Sequence, residues 1–216
     1  MSVVENAKEQ LLSIGAWSVD PAHSTIEFRV KHMMIQTVRG RFRDFDGAIV
    51  AGDEPSISGS IRVASLETLQ EDRDAHLCSA DFFDAERYPE IAFQAAEMQF
   101  NGDDRHFGLA GDLTIKSVTR AIVLDGVLHG VVVDGDGRER IALSLRGQID
   151  RSDYGLVWNR VLESGGVLVG DTVDLVLDVA AIRAARWTID LDRGSRRSAS
   201  RSASPSCSSA SSSTRW

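Results

Sequence analysis

Apolar and polar residues alternate along most of this chain, and that period of two restricts it to folds built from β-strands. The run from Ser24 to His32 is the clearest example, because Ile26, Phe28 and Val30 fall at every second position with polar or charged residues between them. Successive side chains of a strand point to opposite faces of its sheet. This run therefore predicts a strand with one buried face and one face toward water.

The same alternation recurs down the chain, which predicts an all-β fold with roughly eight to ten short antiparallel strands. The other runs cover residues 17–19, 38–42, 48–50, 57–63, 91–100, 107–115, 122–128, 141–149 and 173–179. Five glycines stand on the apolar faces, at positions 40, 59, 111, 126 and 147. Glycine in a strand marks a bend or a close approach of backbones, so these positions favour a tightly curled, closed barrel over a sandwich.

One block breaks the alternation. Between Glu71 and Phe93 the sequence EDRDAHLCSADFFDAERYPEIAF begins with three acidic residues among its first four, which suits the first turn of a helix. Tyr88-Pro89 opposes further helix, because the residue before a proline is driven out of the α region. We expect one short helical segment here that carries Leu77, Phe82 and Phe83 as a plug or lid and leads into a strand.

The charge of the chain argues against polyanionic partners. The formal net charge is −8, and because residues 194–216 hold four arginines and no acidic residue, residues 1–193 carry −12. A body this acidic suits neither nucleic acid nor an anionic membrane surface. No apolar run approaches the roughly 18 residues of a membrane span, so stable insertion into a membrane is not expected.

The ends of the chain differ in composition from its middle. We expect a loosely attached arm over residues 1–15 and a single barrel domain over residues 16–183. Residues 184–216 are rich in serine and arginine, so we expect them to form a disordered tail. The amino-terminal residues lack the basic segment of a secretory signal, and Cys78 and Cys207 make no disulfide framework. The expected compartment is therefore the cytoplasm. The alternative that the tail binds RNA is supported only by its four arginines, which would contribute a modest electrostatic attraction.

Three spaced motifs resemble one known family. The first is Asp20 to Ser24 followed by Phe28, Val30, Lys31 and His32. The second is Arg73 to Leu77 with Ser79, Asp81 to Asp84, Pro89 and Phe93, and the third is Gly111 to Arg120, with Asp150 to Leu156 and Trp158 downstream. In this order they are similar to the signature of the YceI-like polyisoprenoid-binding proteins. The resemblance runs from about Trp17 to Ile182.

The resemblance implies a lipocalin-like extended antiparallel barrel whose interior holds a long isoprenoid or similar amphiphile, and it implies binding with no reaction. Two departures are mild: Ser117 stands where the family usually has glycine, and Cys78 takes a position that is commonly polar. Many members of the family carry a periplasmic signal peptide, which this sequence does not show. The cargo could equally be an isoprenoid quinone, a polyprenyl phosphate, a carotenoid or a fatty amide, with a role in storage, transfer or stress protection.

Our main hypothesis is therefore a carrier or sequestering protein with no enzymatic activity and no cofactor. The apolar residues expected to line the interior are Phe28, Val30, Phe42, Phe45, Ile61, Leu77, Phe82, Phe83, Phe93, Leu113, Ile115, Leu145, Trp158 and Leu175. The opposing interpretation is that these side chains simply fill the core, as they do in most small barrels. A homodimer formed through a barrel edge is left open, because oligomeric state leaves no mark on the sequence.

Three polar residues are expected at the mouth of the barrel: His32, Arg73 and His76. Arg73 lies among acidic residues, so it either contacts a polar or pyrophosphate head group or pairs with an acid to fix the helical block.

The alternative function is a hydrolase or a metal-dependent enzyme at an end of the barrel where His23, His32 and His76 would converge. No pair of these histidines has a close metal-ligand spacing, so no metal is expected. No Gly-x-Ser-x-Gly elbow, phosphate loop or metalloprotease helix is present either. The run Asp134 to Gly137 is interpreted as a hairpin turn instead of a calcium site.

Overall fold

The computed structural model describes residues 15–51, 56–96, 98–103, 105–161 and 167–184. Within them the alternating runs form twelve strands of one antiparallel sheet. The strands are β1 (Gly15–Val19), β2 (Thr25–His32), β3 (Gln36–Phe42), β4 (Phe45–Ala51), β5 (Ser56–Arg62), β6 (Leu66–Glu67), β7 (Glu90–Ala95), β8 (Gln99–Phe100), β9 (His106–Ile115), β10 (Val118–Val133), β11 (Glu139–Asp150) and β12 (Val169–Arg183). The predicted arm and tail lie outside the described residues, apart from Gly15 and Ala184.

The sheet closes on itself as an eight-stranded barrel. β12 pairs with β1 near its carboxyl end and with β2 along the rest of its length, so β1 and β2 are two halves of one wall strand. A 3-10 turn at Pro21–His23 interrupts this wall strand. In the same way β3 continues into β4, and β5 into β6 across a 3-10 turn at Val63–Ser65. These three composite strands with β7, β9, β10, β11 and β12 complete the ring, which confirms the all-β, closed-barrel prediction.

The inward face of every wall strand is apolar, as the alternation requires. Two clusters of buried side chains pack in the interior. One is centred on Trp17, Phe107 and Leu128, and the other on Phe42, Phe82 and Tyr154. The second cluster lies at the end that also holds the only α-helix of the described residues, α1 (Glu71–Cys78). We call this end the α1 end of the barrel.

The connections divide between the two ends. The α1 end holds the turn between β2 and β3, the α1 segment, the turn between β9 and β10, and residues 151–161 and 167–168. The opposite end holds the β10–β11 hairpin, whose turn at Asp134–Gly137 is closed by a hydrogen bond from the Asp134 amide to the Arg138 carbonyl (2.9 Å). That turn was predicted, and it is confirmed.

Candidate functional site

A cavity of about 230 Å³ occupies the barrel interior. Its walls come from the inward faces of the barrel strands and from the segment that follows α1. Of the fourteen residues predicted for the interior, thirteen line it: Phe28, Val30, Phe42, Phe45, Ile61, Leu77, Phe82, Phe83, Phe93, Leu113, Ile115, Leu145 and Leu175. The core is therefore incompletely filled by its own side chains.

The cavity is long and thin. On β12 alone its lining runs from Val169 to Val179, and ten residues of strand at about 3.3 Å each span roughly 33 Å. With the usual tilt of barrel strands, that corresponds to roughly 25 Å along the barrel axis. Ligand pockets usually measure about 300–1,000 Å³, so this volume is modest for such a length. Its proportions match one extended chain better than a compact ligand.

Trp158 is the exception among the predicted interior residues. Its side chain does not line the cavity but stands beside α1, with its ring centroid 4.7 Å from that of His76 and 5.3 Å from that of Phe82. The sequence motif could not separate a wall residue from a neighbour of the lid, because Trp158 lies in an irregular segment without alternation. Trp158 helps to hold the α1 end closed.

The α1 segment covers the α1 end of the barrel, and its helix is shorter than the predicted block. It ends at Cys78, where the Ser79 amide and hydroxyl both donate to the His76 carbonyl (3.2 and 2.7 Å). Phe82 and Phe83 therefore lie in the turns after the helix. Together with Leu77 they close one end of the cavity.

Thr68 anchors the start of this helix. Its amide donates to Asp74 at 2.9 Å, and its hydroxyl also donates to that carboxylate. Arg73 donates from Nε to the Thr68 hydroxyl (2.7 Å) and from a terminal nitrogen to the Thr68 carbonyl (2.8 Å). The ion pair expected between Arg73 and an acidic residue is not found among the described residues. The guanidinium does, however, fix the helix to the end of β6 through Thr68.

His76 is held in a cluster of rings. Its imidazole meets Phe82 and Trp158 edge to face, at 5.1 and 4.7 Å between centroids, and its Nε2 lies 3.3 Å from Asp81 Oδ2. His32 ends β2 opposite Gln36. Both of these residues lie at the α1 end.

His23 lies elsewhere, so the predicted convergence of three histidines does not occur. It belongs to the 3-10 turn Pro21–His23, where its Nδ1 lies 2.9 Å from Asp20 Oδ2. Arg140 donates to the same carboxylate at 2.7 Å, and these two contacts, Arg140 first, lower the pKa of Asp20. No group of three or more His, Cys, Asp or Glu residues in the described part of the chain is placed to hold a metal ion.

A serine, a histidine and an aspartate do meet on the outer wall, but in the wrong order for acyl transfer. Ser144 Oγ lies 2.7 Å from His129 Nε2 and donates to Asp178 Oδ1 at 2.7 Å. In a catalytic triad the histidine stands between the other two residues and takes the serine proton. Here the serine is in the middle, on an exposed face of β10, β11 and β12.

Arg151 is a site residue that the sequence analysis did not single out. It is only 5% exposed, it borders the cavity, and all its donors are used. Nε donates to the Gly170 carbonyl at 2.9 Å, and the two terminal nitrogens donate to the carbonyls of Leu156, Trp158 and Val169 and to the Asp171 carboxylate. One buried cation thus joins the backbone at Leu156 and Trp158 to the start of β12. Its only sequence signal is its place in the motif Asp150 to Leu156.

Glu67 ties β6 to β3 at the side of the α1 end. Its Oε2 accepts from Arg43 Nε and Arg41 Nε, each at 2.7 Å, and these bonds lower its pKa from 4.5 to about 2.

Glu67 should therefore make the protein sensitive to acid. A carboxylate whose pKa is depressed by folding contributes stability above its unfolded pKa, and that contribution disappears as the pH falls. For Glu67 the loss should occur between about pH 4.5 and pH 2. Urea unfolding of wild type and Glu67→Gln should show a stability difference at pH 6 that shrinks across this window. A difference that stays constant down to pH 2 would contradict the assignment.

The sequence matches the family model for the YceI-like domain over residues 17–181. Among curated proteins, a UPF0312 protein of Staphylococcus aureus strain N315 is 36% identical over 163 residues, which cover 73% of this chain and 91% of that protein. A UPF0312 protein of strain MW2 matches with the same identity and coverage.

Solved structures share the fold. The Campylobacter jejuni YceI protein is 32% identical, with a TM-score of 0.62 over 72% of this chain and 90% of that one. Burkholderia cenocepacia BcnA is 20% identical, with a TM-score of 0.64 over 75% and 98% of the two chains. A polyisoprenoid binding domain from Saccharophagus degradans, implicated in plant cell wall breakdown, is 15% identical, with a TM-score of 0.61 over 79% and 99%.

Proposed function

The chain belongs to the YceI-like domain family, and from this we propose that it binds a long apolar amphiphile inside its barrel as a carrier or sequestering protein. The observation that carries the proposal is the thin apolar cavity of about 230 Å³ that follows the barrel axis. A polyisoprenoid, an isoprenoid quinone or a lipid of similar form has the matching shape. The polyisoprenoid binding domain of Saccharophagus degradans, with the same fold, supports this ligand class.

The energetics of burial support a chain-like guest. Each CH₂-sized group that moves from water into an apolar site contributes about 0.8 kcal/mol. Ordering the guest and restricting its motion offset part of this gain. A guest therefore needs many such groups in the cavity, which a linear chain along a tunnel of roughly 25 Å supplies.

A guest longer or thicker than the cavity requires lining side chains to move. The phenylalanines are best placed to do so, because Phe28 and Phe93 each lie over a glycine on the neighbouring wall. Aromatic side chains rotate about two torsions without leaving the interior. The polar head group would lie at the α1 end, near His32 and His76, where the segment after α1 closes the cavity.

Purified protein extracted with organic solvent should release a long apolar compound detectable by mass spectrometry. Delipidated protein should then bind prenyl alcohols and isoprenoid quinones saturably at one molecule per barrel, and short prenyl alcohols of one or two isoprene units much more weakly. Chain length is the informative variable, because the affinity should rise with each added unit until the tunnel is full. Protein that is always empty and that binds no long prenyl chain would refute the proposal.

A further inference from the structure

The turn between β2 and β3 departs from the usual chemistry of hairpins. The Ile35 amide donates to the His32 carbonyl at 3.2 Å, and the two central residues, Met33 and Met34, both have left-handed backbone angles, with φ of 53° and 61°. Such type I′ turns favour Asn-Gly, because side chains with a branched or long carbon stem are disfavoured in the left-handed region. Two methionines here work against local stability, and strain of this kind points to a role outside folding.

The same residues put apolar surface into water. Met33, Met34 and Ile35 are 42%, 59% and 83% exposed, three consecutive large apolar residues at the tip of a hairpin. Val161, 79% exposed, belongs to the adjoining segment, because Met33 donates to the Leu168 carbonyl (2.7 Å) and Leu168 to the Arg160 carbonyl (2.9 Å). We call Met33, Met34, Ile35 and Val161 the apolar tip. An exposed run like this has no reason to exist in a protein that meets only water.

The hairpin that carries the apolar tip is basic in an acidic protein. Residues 25–43 contain five lysines or arginines and one acidic residue, whereas the whole chain carries −8. Arg41 and Arg43 share Glu67, and Arg29 lies 3.6 Å from Glu27. Arg29 also stands directly opposite Arg39 across the two strands, an unfavourable pairing of like charges. Neither Lys31 nor Arg39 has an ion-pair partner among the described residues.

We propose that the apolar tip and the basic face of this hairpin, chiefly Lys31 and Arg39, dock the barrel on the surface of an anionic lipid bilayer. Apolar side chains that enter the headgroup region, flanked by basic residues, are the usual composition of a peripheral membrane site. The net charge of the body and the exposed acids Glu71 and Asp72 at the same end oppose an anionic surface. The attraction therefore comes from the hairpin alone, and screening over about 8 Å leaves its local charges in control at contact. The inference rests on the proposed function, since a bilayer is where a water-insoluble guest would be collected or delivered.

The position of the hairpin fits this role. Val30 and Val169 line the cavity, and they lie within a few residues of Met33 and Leu168. The tip therefore belongs to the α1 end, where the segment after α1 closes the cavity. A barrel docked by this hairpin would present that end to the lipid. No helix in the described residues is long and apolar enough to cross a membrane.

Cosedimentation with vesicles tests whether the basic residues of the hairpin contribute to membrane binding. Full-length protein should bind phosphatidylcholine vesicles that contain about one third phosphatidylglycerol, more weakly at high salt, and should bind pure phosphatidylcholine poorly. Lys31→Gln with Arg39→Gln should weaken binding about 30-fold, because each basic group near an anionic surface accounts for roughly fivefold. Arg105→Gln with Arg138→Gln, at the opposite end, is the matched control and should bind as wild type does.

A second experiment tests the contribution of the apolar tip, with a variant whose melting temperature and vesicle binding should change in opposite directions. Met33→Asn with Met34→Gly supplies the residues that the turn prefers, so it should raise the melting temperature while reducing vesicle binding at least about tenfold. Val132→Ser with Val133→Ser removes two other exposed apolar residues, 60% and 65% exposed, and should leave binding unchanged. In Ile35→Trp the tryptophan fluorescence should shift to shorter wavelength when anionic vesicles are added.

Binding of a long prenyl alcohol, measured in parallel without vesicles, separates this inference from the proposed function. Prenyl binding that survives in the tip variant, together with lost vesicle binding, supports docking by the tip. Absence of vesicle binding in wild type overturns the inference and leaves the cavity proposal standing. Vesicle binding that is equal in wild type and both hairpin variants also overturns it. A tip variant that changes only the oligomeric state assigns the tip to contact with a second copy, and that outcome overturns it too.

Discussion

An Arg151→Met variant is expected to lose about 3–5 kcal/mol of unfolding free energy, because the side chain satisfies several buried carbonyls at once. Arg151 is 5% exposed and donates to the backbone carbonyls of four residues between Leu156 and Gly170. Methionine has a similar length but no donor, so those carbonyls would be left without partners in a place that water reaches poorly. Urea unfolding followed by tryptophan fluorescence measures the loss.

Two matched variants show whether the carbonyls or the charge pair matters. Asp171→Asn removes the carboxylate that Arg151 also contacts, but Asp171 has a 59% exposed side chain, so its loss should cost less than about 1 kcal/mol. Arg138→Met removes an arginine from an exposed pair and should also cost less than about 1 kcal/mol. If Arg151→Met were no worse than Arg138→Met, Arg151 would not organise this segment.

The fold could be predicted because its signal is local and repeated. Ile26, Phe28 and Val30 need only the period of a strand to be assigned to one face, and the barrel uses that face as its interior. The number of strands was harder to predict. Pro21–His23 and Val63–Ser65 each interrupt one continuous wall strand, and β3 continues into β4. Since β8 only pairs beside β9, outside the ring, the twelve observed strands make eight walls. The alternation of apolar and polar residues does not indicate which short strands will join end to end into one wall strand.

The contacts at the α1 end could not be predicted, because they depend on which side chains meet in space. Sequence proximity suggested an acid for Arg73, but its bonds go to the hydroxyl and carbonyl of Thr68. Arg151 appears in the sequence as one arginine among many. Only the backbone carbonyls of Leu156, Trp158, Val169 and Gly170, which surround it in space, make it a buried cation. His23 lay in a family motif with His32, yet the turn that follows β1 holds it against Asp20.

The glycines on the inward faces divide into two kinds, which the sequence could not distinguish. A Cβ at Gly40 would lie 2.2 Å from the Phe28 ring, and the positions 111, 126 and 147 are similarly blocked, with side-chain atoms of Phe93, Phe107 and Leu124 at 2.2–2.5 Å. Gly59 differs, since the nearest atom to its Cβ position is the Asp46 carbonyl oxygen at 3.8 Å. Gly59 borders the cavity, so it has room for a side chain directed inward.

Gly59→Leu is therefore expected to abolish most ligand binding without unfolding the protein. The four carbons of leucine would take space that the guest now uses, and at about 0.8 kcal/mol for each CH₂-sized group displaced the affinity should fall about 200-fold. The stability should stay the same or rise slightly, since replacing glycine reduces the conformational freedom of the unfolded chain. Titration with a long prenyl alcohol and urea unfolding of the same preparation measure both effects.

Gly40→Ala provides the opposite case. Its methyl group would collide with the Phe28 ring, so the barrel should lose about 1–3 kcal/mol of stability, while the cavity keeps most of its volume and the guest most of its affinity. The two substitutions lie on the inward faces of wall strands that adjoin the same cavity, and they differ in whether the space beside them is already filled. If Gly59→Leu bound prenyl alcohol as tightly as wild type, the guest would not lie beside β5, and the tunnel would have to be replaced by another site.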